Sequence, residues 1–162
     1  MRKFFLFYFI FYLIIKLSIC EDKYFIKIND KEFLFEFKDT ETANQIKSKL
    51  PFTIMMTNLN GNEVYHEFNS DFKTNEKSVN NINTGDIYLY KSDCLVLFYK
   101  SFSTSYKYTE VGKLIDPTGL EDIIGTKDVK VYWCLNDCTE EININSFVKA
   151  NLYFIFILLM LL

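Results

Sequence analysis

Residues 100–108 bring together the side chains best suited to holding another molecule: the rings of Phe102, Tyr106 and Tyr108, the hydroxyls of Ser101, Ser103, Thr104 and Ser105, and the ammonium groups of Lys100 and Lys107. Rings stack and hydroxyls exchange hydrogen bonds, so this stretch suits an extended peptide or a small polar ligand. Its serines would be nucleophiles only beside a base. The single histidine, His66, lies on another segment, and the chain has no Gly-x-Ser-x-Gly elbow. Asp86 with Asp93, or Glu63 with Glu67, offer paired carboxylates for acid–base work, but on hairpins such residues are more often solvated turn positions. Cys20, Cys94, Cys134 and Cys138 fall into no zinc-ligand spacing, and there is no glycine-rich phosphate loop. No catalytic set, metal site or cofactor is expected.

These residues sit on a chain patterned as strands. Residues 24–29 and 32–38, the second with Phe33, Phe35 and Phe37 on alternate positions, read as a hairpin with one buried face. Asp39 or Thr40 can cap a short helix over 41–49, in which Ala43, Ile46 and Leu50 share a face before Pro51 stops it. Residues 52–59 and 63–67 alternate on either side of Asn60-Gly61-Asn62, the strongest short-range hairpin signal. Residues 69–84, polar and rich in Asn, Ser and Lys, read as a long surface loop. Strands follow at 87–89 and 95–99, the second apolar on both faces, then at 108–114. A turn at Asp116-Pro117-Thr118-Gly119, a short helix over 120–124 and a last strand over 128–134 complete the pattern. The expected fold class is all-β: a small closed barrel of about eight strands with two short helices.

The ends are different. Residues 4–15 are an apolar run of 12 behind Arg2 and Lys3, followed by Ser18-Ile19-Cys20, which places small residues one and three positions before a signal-peptidase cut after Cys20. As a helix this run rises only about 18 Å, short of the roughly 30 Å hydrocarbon core, so a signal peptide over 1–20 is expected over a spanning helix. A bacterial lipoprotein box is disfavoured by the bulky Ile19. At the other end a polar spacer precedes the 11 apolar residues 152–162, with no basic flank behind them. Residues 136–162 therefore read as a glycosylphosphatidylinositol attachment signal, with a short retained tail helix as the alternative. Either way the expected partner at this end is a membrane, and the expected location is extracellular, on the outer face of the plasma membrane.

The segment left to fold, 21–135, is a single domain. Residues 1–20 and 146–162 carry Arg2, Lys3, Lys16 and Lys149 and no acid, so residues 21–145 hold 18 − 4 = 14 cations against 21 acids, a net charge of −7. That balance excludes a nucleic-acid surface, which needs clustered Lys and Arg. With Cys20 removed three cysteines remain, and the pairing of Cys94, Cys134 and Cys138 stays open.

Specific strings now matter. Leu50-Pro51-Phe52-Thr53, Leu59-Asn60-Gly61-Asn62-Glu63 with Tyr65, Thr84-Gly85-Asp86-Ile87, the long run from Cys94-Leu95-Val96-Leu97-Phe98-Tyr99-Lys100 through Ser101-Phe102-Ser103-Thr104-Ser105-Tyr106, Gly112-Lys113, Asp116-Pro117 and Gly119-Leu120 occur in this order. The chain resembles the small cyclophilin-like domain family over roughly residues 24–133. The resemblance implies a minimal cyclophilin-type barrel in a family whose members have no agreed biochemical activity.

True cyclophilins are known for an arginine aimed at the prolyl nitrogen, which weakens amide resonance in the twisted state. The only arginine here is Arg2, inside the expected signal. Lys100 or Lys107 would have to donate instead, and a flexible ammonium is a poor copy of a planar guanidinium. The expectation is thus a non-catalytic binding module with Tyr65, Lys100, Ser103 and Tyr106 as candidate ligand-binding residues, and with Tyr99 and Phe102 weighted toward the core. The alternatives are a divergent prolyl isomerase using Lys100 or Lys107, and a structural cell-surface protein.

Overall fold

The computed structural model describes residues 22–136 and residue 138. The expected signal over 1–20 lies outside the described residues, as does nearly all of the expected spacer and tail.

The chain begins with a hairpin of β1 (Tyr24–Ile28) and β2 (Lys31–Phe37), turned by Asn29 at φ 52°. Helix α1 (Glu41–Lys47) follows, capped by the Thr40 hydroxyl, which accepts from the Ala43 N–H at 3.1 Å. β3 (Phe52–Leu59) and β4 (Glu63–Glu67) form the Asn-Gly hairpin, with Asn60 at φ 56° and Gly61 at φ 69°. Positive φ at both central positions matches the twist of the flanking strands, which is why this dipeptide sits here.

Next come the two-residue strands β5 (Lys77–Ser78) and β6 (Asn81–Ile82), then β7 (Asp86–Tyr90) and β8 (Cys94–Phe98). After the short β9 (Phe102–Ser103), β10 (Lys107–Leu114), helix α2 (Leu120–Ile124) and β11 (Val129–Leu135) complete the domain.

Hydrogen-bonded neighbours run β2-β1-β11-β3-β4-β8-β7-β10, and β10 pairs back onto β2, so eight antiparallel strands close into a barrel. Closure removes both sheet edges. The closing seam is tight at Gly112, where a Cβ would lie 2.3 Å from the Glu36 carbonyl oxygen and 2.5 Å from Phe35 Cζ. Glycine is the residue that lets β10 and β2 approach.

Alternation sorts the side chains. Ile26, Ile28, Phe33, Phe35, Met56, Val64, Ile87, Leu89, Leu95, Leu97, Val111, Val131 and Trp133 fill the interior with α1 and α2. Trp133 stacks on Phe52 at 5.5 Å between centroids and meets the edge of Phe35 at 5.4 Å.

A second cluster lies outside the barrel wall: Cys94, Val96 and Phe98 of β8 pack with Ile82 and Tyr108, beside the partly buried Tyr65, Tyr88, Tyr90 and Phe102. This explains why β8 is apolar on both faces. Closure alone would leave one face wet; the β6–β9 ribbon and the tyrosines cover it.

The stretch 69–84 is accordingly no plain surface loop. It holds β5 and β6, buries Phe72 in the main core and Ile82 in the second cluster, and is tied down along its length. The Phe72 N–H donates to the Ser92 carbonyl at 2.7 Å, the Lys73 N–H to Gln45 Oε1 at 2.8 Å, and the Asn75 N–H to Thr109 Oγ1 at 3.0 Å. Its polar side chains are mostly exposed, as the composition implies, while Phe72 and Ile82 turn inward.

Candidate functional site

The side chains that face outward from β4 and β8 are fixed by register. Glu63 lies opposite Phe98, Tyr65 opposite Val96 and Glu67 opposite Cys94, while Tyr90 of β7 lies opposite Cys94 from the other side. Because strand side chains alternate, these positions share the outer face. The ribbon covers only part of it. What remains is a cleft of about 310 Å³ running along β4. Val96 and Cys94 line its β8 side, Glu63, Tyr65 and Glu67 come from β4, Leu59 is the last residue of β3, and Asn60 opens the turn between β3 and β4. Tyr90, Tyr106 and Tyr108 supply the remaining lining.

The three tyrosines hold one another at angles. Tyr90 and Tyr106 meet edge to face at 5.9 Å and 82°, and Tyr90 and Tyr108 are tilted at 5.7 Å and 53°. Tyr106 is 60% exposed, so it stands at the mouth.

The charged lining residues are Glu63 and Glu67. Burial raises the Glu63 carboxyl above the usual carboxylate range. Burial, then the carboxylates of Glu67, Asp93 and Glu63, push the Cys94 thiol up to about 11, against a smaller opposing effect of Lys91. Burial and then Glu63 push Tyr108 up to about 12, a hydrogen bond with Thr104 acting in the other direction.

This electrostatic setting keeps the Cys94 thiol protonated at neutral pH, the opposite of what an attacking thiolate needs. Glu63 and Glu67 lie four residues apart on β4, a backbone span of about 13 Å, and both line the same cleft.

Of the candidate ligand-binding residues, Tyr65 and Tyr106 both line the cleft, brought together although they lie on β4 and just before β10. Lys100 and Ser103 are not part of its lining. Lys100 Nζ pairs with Glu121 of α2 at 3.0 Å, and Ser103 Oγ donates to Asn81 Oδ1 at 3.1 Å inside the β6–β9 ribbon.

Ser101 Oγ accepts from the Thr84 N–H at 2.9 Å, and His66 Nδ1 lies 2.9 Å from the Met55 carbonyl oxygen, so the serines and the histidine have separate partners. Asp86 Oδ2 accepts from the Asn83 N–H at 2.8 Å, a turn role. Tyr99 is in the core, its hydroxyl donating to Asn58 Oδ1 at 3.1 Å, and Phe102 packs on Phe98 in the second cluster.

Cys134 is paired with Cys138, their Cα atoms 5.3 Å apart, and Cys94 is free and buried. Among the described residues no group of three or more His, Cys, Asp or Glu is placed to hold a metal ion.

Tyr90, Tyr108, Glu63 and Glu67 join the cleft without having been singled out as ligand-binding residues from the sequence. The alternation of Glu63, Tyr65 and Glu67 carried a usable signal: once Tyr65 faces outward, so do both glutamates. Tyr108 lies in the ring- and hydroxyl-rich stretch 100–108 that the sequence marked as suited to a ligand, whereas Tyr90 gave no signal, because its place depends on the β7–β10 and β7–β8 pairings.

The chain is similar to the solution structure of a hypothetical protein from Archaeoglobus fulgidus, with 19% identity, a TM-score of 0.48, and coverage of 70% of this chain and 94% of that one. No curated protein matches it. The model of the cyclophilin-like family matches residues 26–133, from β1 to Trp133 of β11, and so takes in the closed barrel, the β6–β9 ribbon and every residue of the cleft. The chain belongs to the cyclophilin-like family.

Proposed function

We propose that this is an exported cyclophilin-like barrel, held at the outer face of the plasma membrane by its C-terminal end, that binds an extended peptide or small polar ligand without chemically changing it. The observation that carries the binding reading is the 310 Å³ cleft in which Tyr65 and Tyr106, from distant segments, face a common space. Its volume is at the lower end of the range for ligand sites, and its lining mixes rings, an apolar wall and few charges. Its titratable groups support binding over catalysis: the Cys94 thiol is held protonated and the Tyr108 phenol is shifted upward.

Export and anchoring rest on the sequence of the two ends, residues 1–20 and 136–162. Among the described residues no helix is long and apolar enough to cross a membrane.

The binding reading is tested by titrating the protein with a panel of extended peptides and following the tyrosine ring signals by NMR. Shifts confined to Tyr65, Tyr90, Tyr106 and Tyr108 are expected, and shifts elsewhere with these rings unmoved refute it. Anchoring is tested separately. A phosphatidylinositol-specific phospholipase is expected to release the protein from intact cells, and retention after treatment points to a tail helix instead.

A further inference from the structure

The chemistry of the cleft is narrower than that of a general ligand site. Tyr65, Tyr90, Tyr106 and Tyr108 contribute four rings, and the charged groups among the lining residues are the carboxylates of Glu63 and Glu67. The face of an aromatic ring is the negative pole of its quadrupole and attracts a cation lying within about 6 Å of the centroid. Tyr90, Tyr106 and Tyr108 meet at 82° and 53°, as walls of a box meet and unlike a flat stack.

An anion is disfavoured here twice, by the ring faces and by the carboxylates. A hard metal ion is disfavoured too, because it needs six to eight oxygens converging at about 2.3–2.6 Å. Glu63 and Glu67 are the two carboxylates of the lining, among the described residues no group of three or more His, Cys, Asp or Glu is placed to hold a metal ion, and Val96 and Cys94 offer it an apolar wall.

A soft cation with its charge spread over alkyl groups fits all three features. The chain already places one ammonium on this aromatic set, since Lys91 Nζ lies 5.5 Å from the Tyr90 centroid. The acidic middle segment, with 14 cations against 21 acids over residues 21–145, adds a long-range field of the same sign.

We propose that the cleft is a cage for an organic ammonium group, free or borne on a peptide side chain, with Tyr65, Tyr90, Tyr106 and Tyr108 as its walls and Glu63 and Glu67 as its counter-charges. This rests on the cleft being a ligand site at all, and the test separates the two claims.

Full-length protein in an uncharged maltoside detergent is titrated with choline and with 3,3-dimethylbutan-1-ol, which has the same shape with carbon in place of the charged nitrogen. Saturation-transfer NMR reads the two methyl singlets. A second arm compares the pentapeptides Ala-Ala-Lys-Ala-Ala and Ala-Ala-Leu-Ala-Ala. Binding of choline about tenfold or more tighter than its neutral twin supports the cage occupied by a free amine. The same preference for lysine over leucine supports a cage occupied by a peptide.

Glu67→Gln and Tyr106→Ala, both at exposed positions, are each expected to weaken the cation by about threefold or more and to leave the neutral twin nearly unchanged. Equal binding of charged and neutral members in both arms overturns the cage while keeping the cleft as a ligand site. Absence of binding by all four probes overturns the cage, and the cleft reading falls with it only if the wider peptide panel is also silent.

Discussion

Cys94 on β8 faces Glu67 on β4 directly across the ladder, with the thiol buried and the carboxylate exposed. Burial comes first and Glu67 second among the causes that hold the thiol up to about 11. Against the ordinary value of 9.0, the thiolate population near pH 8 falls by about 100-fold. Native protein is therefore expected to resist iodoacetamide at pH 8 and to label at Cys94 once unfolded in guanidinium. Equal labelling rates in the two states would contradict the raised pKa.

Cys94, Tyr88 and Tyr108 also make stability depend on alkaline pH. All three pKa values are raised in the folded state: from 9.0 to about 11 for the thiol, and from 10.0 to about 12 for each phenol. A raised value means that the folded state holds its proton longer than the unfolded chain. The associated stability is complete below pH 9 and is lost as pH rises toward 12. Melting temperature is expected to be flat from pH 7 to 9 and to fall steeply above 10, and Tyr88→Phe should remove part of the slope. A flat profile to pH 12 would show that these groups are solvated.

Tyr106 and Tyr65 differ in what else they do. Tyr106 is 60% exposed and makes one ring contact, with Tyr90, so Tyr106→Ala is expected to cost under about 1 kcal/mol of stability while weakening ligand binding. Tyr65 is half-buried and packs on the second cluster, so Tyr65→Ala should lose both stability and binding. Thermal melts and titrations on the two variants separate the effects.

The segment over 69–84 supports the barrel through Ile82, which is fully buried against β8. Ile82→Ala is expected to cost about 2–4 kcal/mol by chemical denaturation, as a core deletion does and a surface-loop change does not. Gly112→Ala should be worse, about 3 kcal/mol or more, because its methyl would meet the Glu36 backbone oxygen, which cannot swing away. Soluble expression and melting temperature check both.

Lys100 is held at 3.0 Å from Glu121, which makes it an anchor between the end of β8 and α2. Both side chains are about half exposed, so Lys100→Met is expected to change stability by less than about 1 kcal/mol. Exchange NMR of a proline tetrapeptide is expected to show the uncatalysed rate with the parent protein and with the Lys100→Met, Lys107→Met double variant. Acceleration by the parent that the double variant loses would establish lysine-assisted isomerisation.

What the sequence by itself determined is local. Period-two alternation in 33–37, 52–56 and 129–133 identified strands with one buried face, Asn60-Gly61 required the positive φ of a tight hairpin, and Asp39 or Thr40 with Pro51 bounded a short helix, the structure choosing Thr40 as its cap. The family strings from Leu50 to Leu120 then named the barrel. Alternation says that two faces differ and not what covers each. Only the tertiary structure decided that β10 closes on β2 at Gly112, and that the second face of β8 lies under Ile82, Phe102 and the tyrosines. It also decided that Lys100 and Ser103 turn to Glu121 and Asn81. The cleft belongs to this second class. Tyr65 and Tyr90 come to one face through the ladder pairings of β4 and β7 with β8, Tyr106 joins them by its ring contact with Tyr90, and no local pattern records a contact whose two halves are specified separately along the chain.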